Sequence, residues 1–388
     1  MTFVGVIGIL LSLVAFAWFS NRKDNARLAL FLVMTGFHVV SAYVYYRYVQ
    51  TNDADTALYY YDNYDFFGEG FGLGTMFVVY VTQSAKAVFA GTYLDYFFVY
   101  QALGVWGLAL VFKTMEEASQ ALNTQLPPPI FVLMFLPGMY FWTAAIGKDA
   151  PLFLACALAV WSCFRLSSRW MWFALAIAIM VAIRVHVALL TVVALSITIV
   201  AGRGVTTSAR IFLGFAALVC GVFLFGTVQA ELNVDLSSVG SIAGYVEQQT
   251  SAATRGVDST LANSGFFTKI FSLLYRPFFI DAGGIFGLVA SVQNIVMVGF
   301  TILLIRNFRL WVDLFRTSFA IRFATTHLAL LYIMLSLMYY NVGLGLRQRE
   351  MATPALLVVI ATIYMILRLR RVSTAGVPAN YSSVGVMA

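Results

Sequence analysis

Residues 128–165 read PPIFVLMFLPGMYFWTAAIGKDAPLFLACALAVWSCFR, two apolar runs parted by the charged pair Lys148 and Asp149, with no other charge before Arg165. The pattern predicts a short hairpin of membrane helices whose turn carries the two charges, because an ionised side chain inside hydrocarbon must pair, snorkel or line a wet cavity. The neighbouring tract repeats it. Residues 170–202 are apolar except for Arg184 and His186 at their middle, which predicts a second hairpin.

The rest of the chain has the same character. Of 388 residues, 61% are apolar and 11% charged, against about a quarter charged in soluble domains. A span takes about 20 mostly apolar residues. Apolar runs and their breaks predict an all-α, polytopic membrane protein with spans at 2–20, 28–48, 92–112, 128–144, 149–165, 170–184, 186–202, 210–229, 282–305, 323–342 and 351–367, eleven in number. Residues 1–371 then form one transmembrane domain, and 372–388, small and polar, a disordered tail. The run 2–20 reads as a retained span, since neither a basic segment before it nor an A-x-A site after it marks a signal peptide. Segment 71–90 begins glycine-rich and contains Gln83 and Lys86, which predicts an interfacial or re-entrant helix.

Charge sets the orientation. Alternate connections (21–27, around Lys113, Arg165 with Arg169, Arg203 with Arg210, 306–322 and 368–371) hold 15 of the 24 basic residues and four of the 17 acidic ones. The positive-inside rule makes that side cytoplasmic, with the N-terminus outside and the C-terminus inside. Two large loops, about 50–91 and 230–281, are then external. Basic residues scattered between spans point to topology, and nucleic acid is not expected as a partner. Cys156 and Cys163 lie seven residues apart on one predicted helix, about 10 Å and too far for a disulfide. No Cys/His metal spacing, P-loop or G-x-S-x-G is present.

Polar residues gather at the predicted external ends. They are Asp53 and Asp55 after the second span, Lys148 and Asp149, Arg184 and His186, Arg276 and Asp281, and Arg347, Arg349 and Glu350. Each has a structural reading beside a chemical one. Asp149 before Ala-Pro suits a helix N-cap; Lys148 and Arg276 can snorkel; His186 can be satisfied at a helix end; Asp53 and Asp55 can be ordinary loop residues. Arg184 lies mid-tract, and Arg347 and Arg349 oppose the charge rule, so these three call for a partner. Arginine's planar fork fits phosphate oxygens. Arginines at an external rim therefore suggest the phosphate or pyrophosphate of a lipid carrier, with Asp149, His186 or Asp53 as acid–base groups. The tyrosines of 43–64 suit sugar stacking or an interfacial aromatic belt.

The order D-x-D-x-x-x-YY (from Asp53), P-x-x-x-FW-x-x-x-x-GKDA (from Pro137), R-x-H-x-A-L (from Arg184), YVEQQ (from Tyr245), YRPFF-x-DA (from Tyr275) and N-x-G-x-x-x-RQ (from Asn341) resembles Wzy-type polymerases of O-antigen and exopolysaccharide repeat units. The resemblance spans about residues 50–355, and RVH stands where R-P-H is expected. It implies a GT-C-like multi-span glycosyltransferase of the bacterial inner membrane, acting at its outer face. Such an enzyme moves a glycan from an undecaprenyl pyrophosphate donor to the end of another lipid-linked repeat, with no cofactor. Arg184, Arg276, Arg347 and Arg349 would hold pyrophosphate, with Lys148 beside them, and Asp55, Asp281 and Glu350 are further candidates. The implied partners are the lipid-linked oligosaccharide, membrane lipids, a chain-length regulator and a flippase. Two other readings stand beside it. A GT-C transferase using a polyprenyl-monophosphate sugar would take Asp53 or Asp55 as base or ligand of a divalent metal. A lipid-linked oligosaccharide flippase or carrier is expected to show paired repeats and midplane charges, and no clear internal repeat is found.

Overall fold

A computed structural model describes residues 2–19, 25–52, 54–61, 72–202, 264–337 and 342–374, with isolated positions between 207 and 244. Among these residues the chain is helical and contains no strand. Six of the described helices are long and apolar enough to cross a membrane: Arg27–Tyr48, Tyr93–Ala121, Leu166–Ile183, Gly284–Arg306, Phe319–Leu337 and Thr353–Arg371. Four shorter apolar helices accompany them, at Phe3–Ala15, Asp149–Cys163, Val185–Val200 and Phe266–Tyr275. This is a membrane-embedded, all-helical architecture. The expected span 210–229 falls mostly outside the described residues.

Contacts divide the chain into two compact units. The first takes Met1–Glu117 with Pro127–Arg184, the second Ala118–Leu126 with Val185–Ala388.

The first unit comprises α1 (Phe3–Phe19), α2 (Asn25–Tyr48), α3 (Thr56–Tyr61), α4 (Thr75–Phe89), α5 (Tyr93–Ala121, whose last turn belongs to the second unit), α6 (Pro128–Leu133), α7 (Pro137–Trp142), α8 (Asp149–Cys163) and α9 (Leu166–Ile183). α5 is mostly buried, α8 nearly so throughout, while α9 turns most of its surface outward. Helix α5 starts with a reciprocal cap. Thr92 precedes it, the Asp95 carboxylate accepts from the Thr92 backbone N–H (2.8 Å) and hydroxyl (2.6 Å), and Thr2 adds two donors from α1's end. That T-x-x-D spacing is a capping box in its acidic form. α5 runs on past Lys113, so the expected connection there is helix; Glu116 accepts from Lys113 (2.9 Å) and from Arg27.

The expected span 128–144 is two six-residue helices instead. Proline explains the break: Pro137 has no N–H to continue a ladder and forces Leu136 into extended backbone (φ −63°, ψ 118°).

The second unit comprises α10 (Val185–Val200), α11 (Phe266–Tyr275), α12 (Gly284–Arg306), α13 (Phe308–Thr317), α14 (Phe319–Leu337), α15 (Val342–Gln348), a 3-10 turn at Arg349–Met351 and α16 (Thr353–Thr374). α14 packs between α10 and α16, and α14 and α16 are mostly buried. The expected loop 306–322 is largely α13. Arg322, 2% exposed, holds it down: its guanidinium donates to Phe315 O (2.8 Å), Arg316 O (2.6 Å) and Thr198 O (3.2 Å). One side chain thus satisfies orphan carbonyls at the ends of α13 and α10.

Candidate functional site

The α8–α9 hairpin returns the chain to its starting point, so Asp149 at the head of α8 and Arg184 just past α9 share one end. Arg184 Nη2 lies 3.9 Å from Asp149 Oδ1, with the side chains 13% and 8% exposed. Three local features set this geometry. Gly147 takes φ 151°, a left-handed conformation that favours glycine, in the bend before α8. Arg184 leaves the helix in extended backbone (φ −149°, ψ 88°), while its N–H still closes on Met180 O at 2.7 Å. Gly74, ahead of α4, donates to Ala182 O (2.9 Å), which brings the start of α4 to the same end.

The N-cap reading of Asp149 is corrected here. Lys148, half-buried, occupies the cap position with helical backbone, its side chain makes no capping hydrogen bond, and its carbonyl accepts the first helical N–H, from Leu152 (3.2 Å). Asp149 is the first residue inside the helix. There its charge suits the positive end of the helix dipole, and Arg184 is its ion-pair partner.

The FW of the GKDA motif is structural. Phe141 and Trp142 pack on Tyr45 of α2 at ring distances of 4.6 and 5.9 Å. Thr143 follows, and its hydroxyl meets His38 Nε2 at 3.0 Å. A Cβ on Gly104 of α5 would fall 2.5 Å from Thr143 O and 2.8 Å from His38 Cε1, so glycine lets α5 approach this turn.

Of the described tyrosines of 43–64, Tyr45, Tyr59 and Tyr60 are core and Tyr46 and Tyr48 half-buried. Tyr45, Tyr59 and Tyr60 are buried with Tyr93, Tyr96 and Phe97, and their hydroxyls turn inward: Tyr60 donates to Gly91 O (2.7 Å), Tyr93 to Thr56 Oγ1 (2.6 Å). Tyr43 and Tyr61 remain exposed. The polar residues of α4 serve this cluster. Gln83 donates to Tyr59 O and Tyr60 O, and Lys86 reaches Tyr60 O (3.0 Å) while lying 4.4 Å over its ring.

In the second unit the YRPFFIDA segment closes on itself. Arg276 Nε pairs with Asp281, whose other oxygen accepts from the Phe278 N–H, and Asn294 donates to Pro277 O at 2.7 Å. The spacing from Arg276 to Asp281 is that of a self-satisfied turn, with Arg276 partly exposed. Arg349 and Glu350 are buried, at 4% and 1% exposure. Arg349 Nη1 donates to Leu274 O (3.2 Å). Glu350 accepts from Thr353 Oγ1 (3.0 Å) and Gln293 Nε2 (3.3 Å), with Arg349 Nε 4.0 Å away. Burial pushes the Glu350 carboxyl above the ordinary range, against the lowering effect of Arg349. Arg347 is half-buried on α15 and His186 half-buried on α10. Asp55 is exposed, and Asp53 lies outside the described residues.

Several buried polar groups escaped the sequence reading. Arg169 grips Glu117 with both terminal nitrogens at 2.9 Å, lies 3.9 Å over the Trp161 ring, and Trp161 Nε1 joins the same carboxylate (3.2 Å). His327 meets Thr191 at 3.0 Å in the second unit, as His38 meets Thr143 in the first. The one signal for these was a carboxylate or imidazole inside an otherwise apolar tract.

No protein-family model matches the chain, and neither does any curated protein or solved structure. Among the described residues no group of three or more His, Cys, Asp or Glu side chains comes together as a metal site would require.

Proposed function

We propose that the chain polymerises undecaprenyl-pyrophosphate-linked oligosaccharide repeat units at the outer face of a bacterial inner membrane. The observation that carries the reading is the Asp149–Arg184 pair, two charges held inside a membrane-embedded helical unit at the end of an apolar hairpin. A separation of 3.9 Å is longer than the 2.7–2.9 Å or so of a charge-assisted hydrogen bond. Pyrophosphate oxygens arriving at the guanidinium fork would compete with Asp149 for it and release the carboxylate. Asp149 then takes the proton of the acceptor hydroxyl as its oxygen bonds to the donor's anomeric carbon. The bond from that carbon to pyrophosphate breaks, and the departing charge rests on arginine. His186 and Asp53 remain the other base candidates. Arg349 with Glu350 gives the second unit its own buried charge set, and Arg347 and Arg276 are the further phosphate candidates.

Arg184→Lys is the test. It keeps the charge and removes the bidentate fork, so polymer is expected to shorten severely in cells whose protein level is unchanged. Full-length polymer at normal yield would sink the assignment of Arg184.

A further inference from the structure

At one end of the second unit, exposed apolar surface gives way to exposed arginine within about one helical turn. Ile302 and Ile305 near the end of α12, and Phe308 at the start of α13, are 50%, 67% and 59% exposed. Arg306, Arg309 and Arg316 follow, all exposed, and the side chain of none of them makes a hydrogen bond or ion pair with a described residue. α13 is two-faced. Leu310 and Leu314 are buried and Trp311 is fixed by a bond to Thr325 (3.0 Å), whereas Arg309, Asp313 and Arg316, at the i, i+4, i+7 spacing of one face, point away. The helix is not a loose linker: Arg322 ties its last carbonyls and the Ser318 hydroxyl accepts from the Ile321 N–H to start α14 (3.3 Å).

We infer that α13 is an interfacial helix whose arginine face, with Arg306, binds anionic lipid headgroups. An acidic protein partner would account for the arginines alone. A lipid surface accounts also for the exposed isoleucines and Phe308 beside them in the chain, placed as residues at the border of acyl chains and phosphates would be. α13 sits between two helices long and apolar enough to cross a membrane, α12 and α14. The inference does not depend on the proposed polymerase activity.

The test uses the full chain in vesicles, with Cys220→Ser and a fluorophore on Thr317→Cys at the exposed end of α13. Quenching is compared between traces of brominated phosphatidylglycerol and brominated phosphatidylcholine. A basic residue at an anionic surface contributes about a fivefold preference, so phosphatidylglycerol should quench at least about fivefold more effectively, less so in high salt. Arg306→Gln with Arg309→Gln and Arg316→Gln should bring the ratio to one, and the corresponding lysine variant should keep it. Equal quenching by the two lipids in the wild type overturns the inference, as does a glutamine variant that keeps the preference. A label that neither lipid reaches also overturns it and turns attention to an acidic protein. Should the glutamine variant not fold, the salt dependence of the wild-type ratio decides, and a ratio indifferent to salt counts against binding.

Discussion

Replacing Asp149 by Asn keeps the shape of the side chain and removes its charge, leaving Arg184 in a largely buried position with its counter-ion gone. At an effective permittivity of about 20, unit charges at the observed 3.9 Å attract by about 4 kcal/mol. Desolvation of two mostly buried groups offsets part of that, so breaking the pair should cost about 3 kcal/mol. The cost should be shared: Asp149→Asn and Arg184→Gln are each expected to destabilise, and the double variant to lose less than their sum by about 2–3 kcal/mol. Equilibrium unfolding of the four proteins in mixed micelles measures that coupling. An aspartate acting as N-cap gives a different result, because asparagine caps about as well: Asp149→Asn would then be near neutral. A coupling within error of zero would refute the ion pair as an energetic feature and remove the physical basis for placing a poised charge there.

Two further outcomes follow from the geometry. A carboxyl whose folded-state value is raised binds its proton better folded than unfolded, so Glu350 should make the wild type lose stability as pH rises from the ordinary carboxylate range through the raised value. Glu350→Gln should be flat across that window, and parallel pH curves for the two proteins would show that Glu350 does not titrate there. For orientation, a cysteine at exposed Thr51 should react with an impermeant reagent in intact cells and one at exposed Thr317 should not; the reverse pattern overturns the outward-facing site.

Membrane embedding and the principal helices were legible because twenty-odd apolar residues admit few other solutions, and helices Leu166–Ile183 and Gly284–Arg306 fall close to their expected bounds. Breaks made by backbone chemistry were harder. Pro137 splits an apolar run whose hydropathy is continuous, and α13 lies hidden in a basic connection because its apolar stripe is only ten residues long. The candidate site was legible as residue types and not as pairs. Asp149 and Arg184 each stood out in an apolar tract, but their meeting depends on the hairpin bringing the start of α8 back to the end of α9. Arg276 and Asp281 show the opposite case, two conspicuous charges whose spacing closes a local turn. The tyrosines of 43–64 suit sugar stacking or an aromatic belt by sequence, and mutual packing takes Tyr45, Tyr59 and Tyr60 inside. Glu117 and Arg169 pair although nothing in either segment of sequence names the other.

The central claim is tested most directly by supplying purified full chain in lipid vesicles with undecaprenyl-pyrophosphate-linked repeat unit as the only substrate, and resolving the products by size. The account predicts a ladder of lengthened lipid-linked glycans from the wild type and its loss in Arg184→Lys and Asp149→Asn proteins that still fold. A wild-type protein that leaves the repeat unit unchanged, yet transfers sugar when given a polyprenyl-monophosphate donor, would contradict it.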